Sequence, residues 1–456
     1  MDHHVVIAGA GQVGYHLARN LVAQSIPVVV IENDIESLKE LREIKGIKII
    51  EGHAESYEIL KKATVSRAKL IFSALSKDSQ NILTSLLAKD INPSIITVAR
   101  IRNKNLLNAD YLYKNKVLPI DMPIYPERIV AKHLFDLLKH RNIRESITFL
   151  DGRAKLISIK ITHHSNLINK TLIDIKKRYN DLDFIITAIS REGLDDTIIP
   201  NGTTIIKQFD SIYLFILSKD EDKILKRLGY PKNKIKNAIL IGGGTYGKII
   251  AEELAEHKIK CRLIEINKTK AKKLDEELLK TIILHGDGKD EELLKNNKIS
   301  KTDLLISATH DGFTNIIISN IAKELGTKIT VSLTFNRSLY DLSHIMGVDI
   351  CLNPRYPVIG KVLTKIYSHN IRSIKIIANE DAEIVELLIK NSIKIIDKKL
   401  KDINLGDGVL IALIEREGKL MLPTGEDSIK LNDKIFLFIL KKEVSRVLDK
   451  YFSEHI

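Results

Sequence analysis

The chain has 456 residues, enough for two to four domains at roughly 100–200 residues each. Hydrophobic residues make up 44% and charged residues 28%, a globular balance that excludes a disordered or collagen-like chain. The formal net charge of +13 comes from Lys spread along the whole length. A nucleic-acid surface needs a clustered stripe, so no nucleic-acid partner is expected, although a basic surface favours approach to an anionic leaflet. In chain order, strands are predicted at VVIAG (5–9), VVVIE (28–32), IKIIE (47–51), KLIFSAL (69–75) and IITVAR (95–100). Between them run helical patterns over 13–24, 34–45, 55–63 and 78–90, with apolar spacing such as Leu17, Leu21 and Leu38, Leu41. This alternation implies right-handed crossovers and a parallel, doubly wound sheet. Residues 119–140 begin with prolines and continue as an amphipathic helix. It reads as a crossover or dimerisation element, with Ile129, Leu134 and Leu137 as candidate contacts, or as an ordinary core helix. Short Ile-rich strands with Gly, Asp and Pro turns follow, together with a helix over 165–178, as in a small α+β unit. Breaker and charged residues at 229–234 suit a link between halves.

The pattern then starts again. VVIAGAGQVG (5–14) returns as AILIGGGTYG (238–247), so Gly9 and Gly242 are 233 residues apart, as are Glu32 and Glu265. IIEGHA (49–54) matches ILHGDG (283–288), and LIFSALSKDSQN (70–81) matches LLISATHDGFTN (304–315). The second unit also repeats: 199–217 matches 422–440, with Pro200 aligned on Pro423. The fold class is therefore α/β, a tandem repeat of a Rossmann-like parallel-sheet domain plus a small α+β domain. The expected boundaries are 1–120, a connecting helix at 121–145, 146–228, 235–352, a second connecting helix at 353–370, and 371–456.

GxGxxG alone is a weak signal, but here it closes a strand and opens a helix. Gly9 takes the tight turn, Gly11 lets the backbone approach a pyrophosphate, and Gly14 lets the helix pack on the sheet. First-turn N–H groups near Ala10, Gln12 and Val13 would then face phosphates at the positive end of the helix dipole. Glu32 ends the second strand, where a carboxylate accepts from ribose hydroxyls and repels a 2′-phosphate, favouring NAD(H) or an adenosine nucleotide. Gly242, Gly243, Gly244, Thr245, Tyr246, Gly247 and Glu265 repeat the set. Ser76, and Thr309 and His310, follow the fourth strands and line the crevice, where helix capping by Asp78, Asp311 or the hydroxyls is the alternative. Arg100 ends the fifth strand and could reach a phosphate, whereas Leu333 stands there in the second copy. Asp287 could accept from adenine or ribose, or cap the next helix; His53, its counterpart, reads as a surface residue.

No His–Asp relay, HExxH, CxxC cluster, GxSxG or P-loop pattern is present, so catalysis is not expected. The pairs His3–His4 and His163–His164 read as solvated rather than metal-binding. Cys261 and Cys351 cannot make a disulfide framework and read as core residues of a protein in a reducing cytoplasm. The start of the chain lacks signal-peptide features, and no stretch is long and apolar enough to cross a membrane.

GAGQVG, VVVIEND, EGHAES, the Ser/Asp–Asn segment, ARIRN and the second GGGTYG together resemble the TrkA family of Trk-type potassium-uptake regulators. The first units resemble RCK (or KTN) domains and the second units their RCK-C partners, over nearly the whole chain. The resemblance implies a non-catalytic subunit, peripheral on the cytoplasmic membrane face. It implies a homo-oligomeric ring, dimeric or tetrameric, under an integral potassium-translocating subunit. It also implies NAD(H) binding, with ATP or ADP competing, through Gly9 to Gly14, Glu32, Leu75, Ser76 and Arg100, and in the second copy through Gly242 to Gly247, Glu265, Thr309 and His310, where Leu333 in place of the arginine leaves the ligand open. An NAD-dependent oxidoreductase is the alternative from another class, and a redox-sensing DNA-binding regulator is a third.

Overall fold

The computed structural model describes residues 4–447 apart from 24, 108, 116, 141–142, 164, 192–196, 335–338, 340–341, 344, 367–370, 378–380 and 391–394. It divides into two units, Met1–Pro126 with Arg355–Ile374, and Glu127–Pro354 with Lys375–Ile456.

The first unit is built on β1 (Val5–Ala8), α1 (Gln12–Ala23), β2 (Val28–Glu32), α2 (Ile35–Arg42), β3 (Ile47–Glu51), α3 (Tyr57–Lys62), β4 (Leu70–Ser73), α4 (Asp78–Ile91) and β5 (Ile96–Arg100). Two short helices, α5 (Lys104–Leu107) and α6 (Asp110–Lys114), lead to β6 (Met122–Ile124). The strands pair in parallel in the order β3-β2-β1-β4-β5-β6. Val and Ile dominate because a parallel sheet is covered on both faces; every residue of β1 is inaccessible to solvent. Leu17 and Leu21 of α1 are fully buried too, each burial contributing roughly 1.5–3 kcal/mol. The register aligns Ala8 with Ile31 on one side and Ser73 on the other. The carboxyl ends of β1, β2 and β4 therefore finish level, and the strand order reverses between β1 and β4, where such sheets leave a crevice.

The second unit begins with α7 (Pro126–Leu138). The first small domain follows: β7 (Ile143–Phe149), β8 (Ala154–Lys160), α8 (Leu172–Arg178), β9 (Phe184–Ser190), β10 (Thr197–Ile198), β11 (Ser211–Leu217) and α9 (Glu221–Arg227). Its sheet is antiparallel in the order β10-β9-β11-β8-β7. The helix expected over 165–178 starts only at Leu172. Thr171 caps it in a reciprocal box with Asp174, and Asn169 just before has a left-handed φ of 58° that no helix can contain. The expected linker is not free chain: Tyr230 is buried, and its hydroxyl donates to the Lys160 carbonyl at 3.0 Å.

The second nucleotide-type domain comprises β12 (Asn237–Ile241), α10 (Thr245–Glu256), β13 (Lys260–Glu265), α11 (Lys268–Glu277), β14 (Thr281–His285), α12 (Glu291–Asn296), β15 (Leu304–Ser307), α13 (Gly312–Glu324), β16 (Ile329–Leu333) and β17 (Ile350–Leu352). Its parallel order, β14-β13-β12-β15-β16-β17, repeats the first. Next come α14 (Tyr356–Ile366) and the last small domain, with β18 (Ile371–Ile377), β19 (Ala382–Leu388), β20 (Val409–Arg416), β21 (Lys419–Met421) and β22 (Lys434–Leu440) in the order β18-β19-β22-β20-β21. The two small domains share an apolar core. Phe149 stacks on Phe215 at 5.5 Å and meets Phe436 edge-on at 5.4 Å.

The two connecting helices cross over. α7 packs in the second unit beside α10, with Phe135 stacked on His257 at 4.2 Å and Arg128 Nε 3.6 Å from Glu253 Oε1. α14, from the far end of the chain, packs on α1 and β4 in the first unit. Of the expected α7 contacts, Leu134 and Leu137 are buried and Ile129 is half-buried.

Candidate nucleotide site

Each parallel sheet ends in a glycine loop, and the three GxGxxG glycines of each loop have different reasons to be there. Gly9 has φ +95° and Gly242 φ +94°, the left-handed region where a side chain is strained. A Cβ on Gly14 would lie 1.9 Å from the Gly9 carbonyl oxygen, and one on Gly247 would lie 1.9 Å from that of Gly242. The fold itself demands these four. It does not demand Gly11 or Gly244, where a Cβ meets nothing within 4 Å. Each opens a helix whose first-turn N–H groups have no acceptor within the helix. Ala10 and Val13 are buried, and the side chain of Gln12 lies outside the described residues.

Glu32 is nearly buried at 8% exposure, and its carboxylate is turned onto the loop. One oxygen accepts from Ala10 N–H at 2.5 Å; the other accepts from Asn33 and Asp34 N–H at 2.7 and 2.9 Å. Glu265 does the same with Gly243 N–H at 2.8 Å and Asn267 N–H at 2.9 Å. The acid thus clamps the end of the second strand to the glycine loop. Burial opposes ionisation of Glu265, but the Asn267 and Gly243 amides and the Lys270 ammonium outweigh it and hold the carboxyl below its ordinary range.

Leu75 and Ser76, and Thr309 and His310, follow β4 and β15 as expected. A buried asparagine that sequence reasoning did not single out holds each loop. Asn81 accepts from Leu75 N–H at 2.8 Å and donates to the Leu75 and Arg100 carbonyls at 3.2 and 2.9 Å. Asn315 accepts from Thr309 N–H at 2.9 Å and Thr309 Oγ1 at 2.7 Å, and donates to the Thr309 and Leu333 carbonyls. Both close the aligned segments 70–81 and 304–315, which was the available signal. Arg100 is half-buried at the end of β5, Leu333 is buried at the end of β16, and Arg102 donates to the Ser76 carbonyl at 3.0 Å.

The capping alternatives divide. Asp311 caps α13 through Phe313 and Thr314 N–H, whereas Asp78 accepts from Arg102 and Asn103 N–H instead. Asp287 does not cap α12, a role taken by Asp290; it accepts from Lys289 N–H at 2.9 Å. His53 is exposed, with Nδ1 3.3 Å from Asn33 Nδ2. Tyr246 and Thr245 open α10. The expectation that His4 is solvated is wrong: it is buried, with Nε2 3.0 Å from the Ala63 carbonyl, because the first strand starts one residue later beneath α3 and its following turn. His163 is exposed, and His3 and His164 lie outside the described residues. Cys261 and Cys351 are buried, and burial pushes the Cys261 thiol up to about 12. Among the described residues, no cluster could hold a metal ion, and no helix is long and apolar enough to cross a membrane.

The TrkA-N domain model matches residues 5–126 and 238–354, and the TrkA-C domain model matches 156–229 and 384–451. The chain belongs to the TrkA-N and TrkA-C domain family. TrkA-N thus covers both glycine loops and both β2-type acids. Among full-length relatives, the Trk system potassium uptake protein TrkA of Vibrio alginolyticus is 27% identical over 98% of both chains. The TrkA homolog of Archaeoglobus fulgidus is 29% identical over 97% of this chain and 98% of its own. Solved structures agree in fold. A GsuK channel bound to NAD superposes with TM-score 0.63 at 16% identity, covering 99% of this chain and 79% of that one. The GsuK RCK domain gives the same score over 98% and 94%. The tandem TrkA-N/TrkA-C order holds from end to end.

Proposed function

We propose that the chain is a non-catalytic regulatory subunit of a Trk-type potassium uptake system, with NAD(H), or ATP or ADP in its place, bound at both glycine crevices. The carrying observation is the open space over Gly11 and Gly244, the two loop glycines that the protein's own packing does not require. A diphosphate approaching the backbone there accounts for them. On this reading Gly9 to Gly14, Glu32, Leu75, Ser76 and Arg100 hold the first nucleotide. Gly242 to Gly247, Glu265, Asp287, Thr309 and His310 hold the second. The nucleotide domains span 1–120 and 235–352, and the small domains 146–228 and 371–456.

The partners are an integral potassium-translocating protein and further copies of the chain, on the cytoplasmic face of the membrane. Relatives named as potassium uptake proteins along their whole length support this, as does the solved GsuK channel bound to NAD. The bound nucleotide supplies a diphosphate and a sugar, not a reaction. Gly11 and Gly244 admit the phosphates, and Glu32 and Glu265 tie the adenosine side to the loop. Regulation follows if one conformation binds the nucleotide more tightly. A shift from 1:99 to 99:1 needs about 5.5 kcal/mol, reachable over several sites.

Calorimetric titration of the full chain with NADH, NAD, ATP and ADP tests the reading. Gly11→Asp and Gly244→Asp place a carboxylate in the open space and are each expected to remove one binding event. Unchanged binding in both variants would refute the site assignment.

A further inference from the structure

The two crevices carry the same glycines and the same acid but distribute positive charge differently. Three residues after the cap Asp34 stands Ser37, whose N–H donates to Asp34 at 2.9 Å. Three residues after the equivalent cap Asn267 stands Lys270, whose N–H makes the same bond at 2.9 Å. The side chains then part company. The Lys270 ammonium lies 3.3 Å from Oε2 of Glu265, the oxygen that also accepts from Gly243 N–H. Among the described residues, the partners of the Glu32 carboxylate are the N–H groups of Ala10, Asn33 and Asp34, with no cation beside them.

We infer that Lys270 makes the second crevice tolerant of a 2′-phosphate, so that NADP(H) competes with NAD(H) there while the first crevice excludes it. The inference rests on the reading that both crevices bind adenosine nucleotides. A carboxylate at the end of the second strand accepts from ribose hydroxyls and repels a phosphate on the 2′ oxygen; a cation nearby accommodates that phosphate. In the second crevice both groups sit at one carboxylate oxygen. Lys270 is long, single-charged and half-exposed at 44%, so it can turn from Glu265 to an incoming phosphate while the buried carboxylate keeps the Gly243 and Asn267 amides. Solvent at that exposure limits the effect to about fivefold in affinity.

The test uses the full chain with one crevice closed at a time and NADH and NADPH as calorimetric probes. With Gly244→Asp, which leaves the first crevice, NADPH is expected to bind far more weakly than NADH. With Gly11→Asp, which leaves the second, the NADPH-to-NADH ratio of dissociation constants is expected to be about fivefold smaller. Adding Lys270→Ser to Gly11→Asp restores discrimination, and adding Ser37→Lys to Gly244→Asp relaxes it. Equal ratios in the two crevices, or a ratio indifferent to Lys270→Ser, overturns the inference. Failure of both single-crevice variants to bind NADH overturns the underlying nucleotide reading instead.

Discussion

In the first half of the chain the fifth strand ends in Arg100 and the β2 acid is held by amides alone among the described residues; in the second half the fifth strand ends in Leu333 and Lys270 stands beside the acid. The backbone devices around these side chains hardly differ. Both loops start on a left-handed glycine, both pack a glycine against that residue's carbonyl, and both tie the fourth-strand loop to the fifth strand with a buried asparagine. Duplication has kept what the polypeptide needs in order to make a crevice and has varied the charged side chains around it. The small domains diverge further. Lys155 of β8 pairs across the sheet with Ile216, and the same register in the last domain holds Glu383 opposite Ile439. Glu221, which Lys155 contacts, has Val444 as its counterpart.

The charged cluster confined to the first small domain offers the largest test of that divergence. His140 Nε2 lies 3.0 Å from one oxygen of Glu221, and Lys155 pairs with the other; all three residues are buried. Glu221→Gln leaves Lys155 buried without its counter-charge, and a loss of about 3–5 kcal/mol is expected in chemical denaturation. Val444→Ala in the other copy removes only apolar contacts. The pH dependence has a definite sign. Burial opposes ionisation of Glu221, yet His140 and Lys155 lower its pKa from 4.5 to about 2. The cluster's stabilisation is therefore complete above pH 4.5 and is lost as pH falls through about 2, and Glu221→Gln flattens that part of the profile.

The shared devices come next. Gly14→Ala and Gly247→Ala each drive a methyl group against a carbonyl oxygen at 1.9 Å and are expected to cost about 1–3 kcal/mol or more, equally in the two copies. Unequal losses would break the claim that the loops are built alike. Asn81→Ala and Asn315→Ala follow at about 1–3 kcal/mol, since each strands a loop amide and a strand carbonyl. The Asn315 variant is expected to lose more, because it also gives up the 2.7 Å bond from Thr309 Oγ1. Hydrogen exchange at the amides of Leu75 and Thr309 reads both.

Much of this was legible in advance, and the exceptions have physical causes. Apolar runs at strand length, each closed by a turn and followed by a helical period, specify a parallel sheet almost without competition, so the repeat and its topology could be read directly. The glycine spacing placed the loops for the same reason. The direction of a side chain is another matter. Glu32 stands where a ribose-binding acid should, but sequence cannot say that its oxygens take Ala10, Asn33 and Asp34 amides. The roles of Asn81 and Asn315 were missed because an asparagine inside a helix carries no signal of burial until the strand beside it is placed. An amphipathic stripe on residues 126–138 announces a packed helix without naming its cover, so the stacking of Phe135 on His257 was invisible.

The smallest expected change in stability decides the most about function. Gly11 lies in neither a left-handed conformation nor a crowded one, since a Cβ there meets no atom within 4 Å. Gly11→Ala should leave the thermal midpoint unchanged or raise stability by up to about 1 kcal/mol, as the unfolded chain loses freedom. If the open space exists for a diphosphate, the same methyl group stands between ligand and backbone, and NADH affinity in the first crevice falls although the fold has gained. Gly244→Ala repeats the experiment in the second crevice. A methyl group that leaves affinity intact in both would mean that these two glycines serve neither packing nor ligand, and the strongest reason for placing a nucleotide there would be gone.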